Sequence, residues 1–471
     1  MDSTLRLPTE IIAKIFVHCL PRLSDATDEL ASFKLRNAPT LLTTVCKRWR
    51  DIALDTPQLW SNIYIGAPQE AFTSSAKQTL GSWLAHSTYF PLNITIYAMG
   101  IGDYIEACFD MLVAHAHRWA CVIVLDATVA LNLLSRHPDR QQSILSRFIF
   151  ERCIKDIDSS EIDSLSDLLC HAPRLREVSM HFTSTQWTLP WTNLTHLSLR
   201  PYHPASIPDT VDMLSQCSNL TSLHLNFADS RIDLIWDTED AMFPPLVMHH
   251  LQFLMIKTHV REVCQLLLDA FEFRELQHLL IHILMDFRRS EIFVPPPWPA
   301  LRRVLSHSTH SMEIFDLHLF DWKCDDDLAD ILATLPNLTS ISTCLVSDVL
   351  MDRLTLKFSP DGRLTSGQNL RLRELEIGQK YNDDIWKDDG VNPEASHTNF
   401  LDMAESRVSL PANAVDTDGG AITRLRTLRF GGKKMEAMES DAPAECARMR
   451  ALEDQGLSFV VMPHDCLLSL H

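Results

Sequence analysis

Residues 193–199 read NLTHLSL, residues 219–225 read NLTSLHL and residues 337–343 read NLTSIST, three near copies of one phrase spread along a 471-residue chain. Looser copies start at Leu175, Leu251, Leu276, Ile314, Leu372 and Leu425 and keep an apolar residue in the first, fourth and sixth places. The fourth and sixth places are two apart, the period of a strand whose alternate side chains face one way. Runs with helical spacing fall between copies, at 211–217, 260–271 and 326–335. Each copy therefore predicts one short strand and one returning helix. A unit of that size cannot bury its own apolar face, so neighbouring units must stack.

The spacing resembles leucine-rich repeats. That resemblance implies short parallel strands with outer helices, wound into an irregular solenoid because the steps between copies are uneven and lengthen toward the end. Segments 91–96 and 119–124 look like earlier strands, with a helix at 109–118 before the second, so the array is expected to begin near residue 90. Residues 381–422 carry nine acidic side chains against Lys387 and Arg407 and show little periodicity. They are expected to form an acidic, partly mobile insertion before the last strand.

The N-terminal part is written differently. Residues 5–21 read LRLPTEIIAKIFVHCLP and residues 41–63 read LLTTVCKRWRDIALDTPQLWSNI. Pro8 suits a first helical turn, where its missing N–H has no partner to lose, and Glu10 in the same turn favours the helix dipole. Ile11, Ile12, Ile15, Phe16 and Cys19 form a stripe of helical period that Pro21 ends. Leu41, Leu42, Val45, Trp49, Ile52 and Ala53 repeat the spacing, so two or three short amphipathic helices are predicted. A module of about sixty residues leaves a large share of its apolar area wet, and part of the stripe is expected to meet a partner. An ordinary helical cap on the next domain would need none.

The ordered run from Leu7, Pro8 and Glu10 through Val45, Cys46, Lys47, Trp49 and Arg50 to Pro57, Leu59 and Trp60 resembles an F-box. Residues 22–38 depart from the tightest versions of that family by lengthening one loop. Together the two parts resemble F-box proteins with a leucine-rich-repeat-like region, in the style of the large F-box families of mushroom-forming fungi. The implied fold is α/β: a small helical F-box at 1–63, a connecting helical segment at 64–89 and the repeat-like domain at 90–471. The implied role is substrate recognition in a Skp/cullin/F-box ubiquitin ligase. Its partners would be a Skp-type adaptor, through it a cullin, and an unknown protein substrate. The adaptor-binding residues expected from the match are Leu7, Pro8, Ile11, Ile12, Ile15, Phe16, Val45 and Trp49.

Strand alternation predicts a second surface, opposite the inward leucines: Ser198 and Arg200, His224 and Asn226, Met255 and Lys257, Leu280 and His282, then His318 and Phe320. Its mixed character suits protein recognition. The competing expectation is a repeat scaffold with no link to ubiquitin, whose F-box-like segment serves another partner or only seals the array.

Charge and motifs narrow the field. A net charge of -19 and a pI near 5.5 argue against nucleic acid and anionic membranes as partners. No basic segment followed by an uninterrupted apolar run opens the chain, and no stretch approaches the ~20 apolar residues of a membrane helix, so cytoplasm or nucleus is expected. Twelve cysteines without a CxxC pair are expected to be core residues rather than disulfides or metal ligands. Hydrolase, metalloprotease and phosphate-loop motifs are missing; the Gly431 to Lys434 run lacks the upstream glycine and hydroxyl residue, and Gly100 and Gly102 lack a third glycine. His115 with His117 and His249 with His250 have no companion at zinc-like spacing. No catalysis, metal or cofactor is expected.

Overall fold

The computed structural model describes residues 7–20, 37–65, 75–96, 103–125, 144–150, 159–182, 187–201, 207–227, 245–284, 297–319, 326–344, 347–377, 397–416, 420–431 and 443–462. The chain divides into two compact units, Met1–Leu199 and Arg200–His471.

In the first unit, helices α1 (Thr9–His18), α2 (Leu42–Val45) and α3 (Lys47–Leu54) precede a 3-10 turn at Pro57–Trp60. Pro8 is the N-cap of α1 rather than its first residue, and its carbonyl accepts from the Ile11 and Ile12 amides. The stripe from Leu41 to Ala53 is broken into two helices at Cys46, whose backbone is extended. Its Sγ accepts the Trp49 amide and so caps α3.

The sheet of this unit starts at once. Strand β1 (Asn62–Ile65) pairs in parallel with β2 (Leu92–Ile96), β2 with β3 (Trp119–Val124), β3 with β4 (Arg147–Phe150) and β4 with β5 (Glu177–Phe182). Strand β6 (His196–Pro201) follows β5 and carries the division between the units. Helices α4 (Ser75–His86), α5 (Asp103–Val113) and α6 (Ser159–Cys170) lie between strands in the chain. Register explains the core: Ile63, Ile94, Val122, Phe148 and Val178 stand in one buried row, and Ile65, Ile96, Val124, Phe150 and Met180 in the next. Each such side chain contributes about 1.5–3 kcal/mol by leaving water.

The second unit repeats the scheme. After α7 (Ile207–Ser215) come β7 (Ser222–Phe227), β8 (Leu246–Met248), β9 (Phe253–Thr258), α8 (Arg261–Ala270), β10 (Phe271–Phe273), β11 (His278–Ile283), α9 (Trp298–Ser306), β12 (Ile314–Leu319), α10 (Asp326–Ala333) and β13 (Ser340–Thr343). They are followed by α11 (Asp348–Leu354), β14 (Lys357–Phe358), β15 (Leu364–Ser366), β16 (Glu374–Ile377), α12 (His397–Val408), β17 (Thr427–Gly431), α13 (Pro443–Asp454) and β18 (Ser458–Met462). Strands β7, β9, β11, β12, β13, β16, β17 and β18 form one parallel ladder in chain order. β8 and β10 pair apart from it, and β14 and β15 make an antiparallel hairpin that turns at Gly362, φ 84°. The apolar residues Leu223, Leu254, Leu279, Phe315, Ile341, Leu375 and Leu428 lie in one register row, all buried, so the copy expected to start at Ile314 starts two residues earlier, at buried Met312, with Phe315 in its fourth place. Parallel strands in chain order bury the repeated phrase on one face.

The acidic stretch is not all solvated. Residues 381–396 and 417–419 lie outside the described residues, but α12 buries Leu401, Met403, Ala404 and Val408. Asp402 and Glu405 meet Arg448 of α13, the latter at 2.7 Å. Arg407 is wholly buried, and its guanidinium donates to the carbonyls of Leu354 at 2.7 Å, Asn369 at 3.0 Å and Gln368 at 2.6 Å. Burial pushes its pKa down to about 9. Three carbonyl dipoles do for this cation what water does outside.

Candidate functional sites: an apolar helical surface and a polar sheet face

Helix α1 carries two apolar stripes one residue out of phase. Ile12 and Phe16, four apart, face inward at 2% and 1% exposure; Ile11 and Ile15, also four apart, stand out at 42% and 46%. Phe16 packs on Trp49 with ring centroids 4.9 Å apart, and Leu42, Ile52, Ala53, Leu59 and Trp60 complete the buried set. Trp60 donates its indole N–H to the Ala53 carbonyl at 2.8 Å and meets Trp83 edge-on, which ties the helices to α4. Arg48 reaches the Leu7 carbonyl at 2.8 Å and Arg50 the Thr43 carbonyl at 2.8 Å. The module thus has a core of its own, yet Leu7, Ile11, Ile15, Val17, Leu41 and Val45 remain exposed. Among the described residues the remaining exposed large hydrophobics are Tyr89, Val349 and Val460, so this class of residue concentrates between positions 7 and 45.

Of the eight residues expected to bind an adaptor, the structure puts Leu7, Pro8, Ile11, Ile15 and Val45 at the surface, Trp49 at half burial, and Ile12 and Phe16 inside. Val17 and Leu41 join the exposed set. Neither is separable from the core stripe by period alone, because the phase of α1 and the break at Cys46 decide which side faces in.

The polar face of the second unit is set by register. His224, Met255, Leu280, Asp316, Ser342, Glu376 and Arg429 lie in one row, and Asn226, Lys257, His282 and His318 in the next. The partner of Leu280 is therefore Asp316, and His318 stands beside His282. Arg200, His224, Asn226, Met255, Lys257, Leu280 and His282 are half-buried, His318 is buried, and Phe320 lies outside the described residues. His224 stacks on Phe253 at 4.7 Å, and Arg429 pairs with Glu374 at 3.3 Å and Glu376 at 3.8 Å.

The strongest electrostatic coupling on this face joins His282, Asp316 and His318. Burial opposes ionisation of Asp316, yet the two imidazoles override it and hold the carboxylate well below its usual range. Burial likewise opposes charge on His318, but Asp316 and Cys344 outweigh it and push His318 up to about 10. Buried thiols lean the other way: desolvation pushes Cys121 up to about 11 and Cys217 and Cys264 up to about 12, which leaves them protonated and unreactive.

Residues 4–66 match a family model described as F-box-like. The match supports an F-box protein and points to an F-box adaptor role in a Skp/cullin/F-box ligase; domains of this type generally bind Skp-type adaptors and are typically non-catalytic. The chain matches no curated protein. Among the described residues no helix is long and apolar enough to cross a membrane.

Proposed function

We propose that this protein is the substrate-recognition subunit of a Skp/cullin/F-box ubiquitin ligase, acting in the cytoplasm or nucleus. The observation that carries the reading is the division of α1: the F-box-like module fills its own core with Ile12 and Phe16 and still presents Leu7, Ile11, Ile15 and Val45 to solvent. An apolar set left out of a completed core is what a docking surface requires. These residues, with Pro8 and Trp49, dock the adaptor, which brings the cullin. On this reading residues 1–63 are the F-box, 64–89 connect it, and 90–471 are an irregular leucine-rich-repeat-like solenoid, a reading supported by parallel strands in chain order with the repeated phrase buried on one face.

The polar sheet face, with Arg200, His224, Asn226, Met255, Lys257 and His282, receives the target protein. Catalysis belongs to the ubiquitin-charged enzyme that the cullin recruits. This chain supplies proximity, which turns an encounter between two molecules into a nearly intramolecular step. Size-exclusion chromatography of the full chain mixed with a purified Skp-type adaptor and its cullin tests the assembly. Co-elution of all three is expected; elution of the chain by itself would remove the ubiquitin link and leave a repeat scaffold with another partner.

A further inference from the structure

Three side chains on the polar face of the second unit converge as ligands do. β11 and β12 pair with His282 opposite His318, and Asp316, two residues before His318, projects on the same side. His282 Nε2 and His318 Nε2 each lie 3.1 Å from Asp316 Oδ1, and the two rings are 5.0 Å apart at 71°. One donor atom from each residue lies within 4.8 Å of the other two. His282 Nε2 and Asp316 Oδ1 are shielded from solvent and reach no hydrogen-bond partner outside the cluster.

The short contacts that join an imidazolium to a carboxylate also suit a divalent cation, which takes the proton's place between the donors. Tetrahedral zinc, with nitrogen and oxygen ligands at about 2.0–2.2 Å, spaces neighbouring donors roughly 3.3 Å apart. The observed 3.1 Å contacts fit such an edge. Ser342 Oγ, 2.8 Å from His318 Nε2 and level with Asp316 in register, adds a neutral oxygen on the same side. Two imidazoles and one carboxylate suit a borderline divalent ion better than calcium or magnesium, which take oxygen ligands.

We propose that His282, Asp316 and His318 form a mononuclear binding site for a divalent transition-metal ion of the zinc type, with the fourth position left to Ser342 or to a ligand from solvent. The site stands apart from the adaptor reading, since none of its residues belongs to the F-box-like module. Sequence spacing hides it, because only Asp316 and His318 are local and His282 arrives through strand register.

The full chain, stripped with a chelator and dialysed, is titrated with Zn(II) by calorimetry and with Co(II) by visible absorption. One equivalent is expected to bind, with Co(II) bands of a nitrogen and oxygen site and no thiolate charge transfer. His282→Ala should weaken binding roughly 100-fold or more, since even outer-shell partners of metal ligands are worth 10–100-fold. Cys170→Ser, in the Asp167, Cys170 and His171 cluster at the C-terminal end of α6, should leave binding unchanged. Asp316→Asn, nearly isosteric, replaces His282→Ala if circular dichroism shows that variant unfolded. Failure to saturate, wild-type affinity in the folded His282 or Asp316 variant, or a thiolate band in the Co(II) spectrum would overturn the site.

Discussion

Ile15 and Phe16 are neighbours in sequence with opposite fates, 46% and 1% exposed, and that contrast makes the docking surface separable from the fold. Ile15→Asp should abolish adaptor binding while moving the urea midpoint little, because an exposed aspartate on a helix strands no buried charge. Phe16→Ala should cost about 3–5 kcal/mol of stability, the range for an aromatic removed from a packed core; equal midpoints for the two variants would contradict the assignment. Arg407 offers a second test. Arg407→Met strips three carbonyls of their donor, and we expect a loss of roughly 2–4 kcal/mol in urea unfolding. No loss would mean that those carbonyls find other donors. Native-state alkylation followed by mass spectrometry should label exposed Cys19 and Cys46 well before buried Cys217 and Cys264; comparable labelling would contradict the core placement. The apolar set between positions 7 and 60 was legible from spacing, but its split into inner and outer halves was not. Helical period gives a stripe, and only packing against α3 and the turn at Pro57–Trp60 decides its phase.

Helices and strands follow local chemistry where a phrase repeats and escape it elsewhere. Each strand from β5 to β17 in the long ladders carries apolar residues at alternate places, save that Thr343 takes one of them in β13. β4, Arg147–Phe150, carries the phrase too, with Leu145 leading Phe148 and Phe150, all buried, but phenylalanine in the fourth and sixth places hid it among leucine copies, and pairing with β3 and β5 reveals it. α12 was hidden by its acids, two of which, Asp402 and Glu405, pair with Arg448 at the edge of its buried face. The short helix α11 depends on its cap, since Ser347 accepts the Leu350 amide at 3.1 Å. Ser347→Ala should cost about 1 kcal/mol, measured as a fall in the urea midpoint; an unchanged midpoint would show that the helix is held by Leu350, Met351 and Leu354 alone. The histidine and aspartate cluster is an element-scale feature too, invisible until β11 and β12 are in register.

At the scale of the whole molecule, one chain joins a small module with its own core and an unfinished apolar surface to a long parallel ladder with a buried leucine face and a polar opposite face. A helical stripe with more apolar residues than its core can hold, and a ladder whose stability is shared among stacked neighbours, are different solutions to burying apolar area in a chain of this length. Both were readable in outline from sequence, because both depend on period. The measurement that tests the central claim most directly is calorimetric titration of a purified Skp-type adaptor into the full chain, into an Ile11→Asp, Ile15→Asp variant and into Arg407→Met. The account predicts saturable 1:1 binding by the unaltered chain, its loss in the first variant with the fold intact by circular dichroism, and its retention in the second at a temperature where that variant is folded. Absence of binding by the unaltered chain, or undiminished binding by the Ile11→Asp, Ile15→Asp variant, would contradict it.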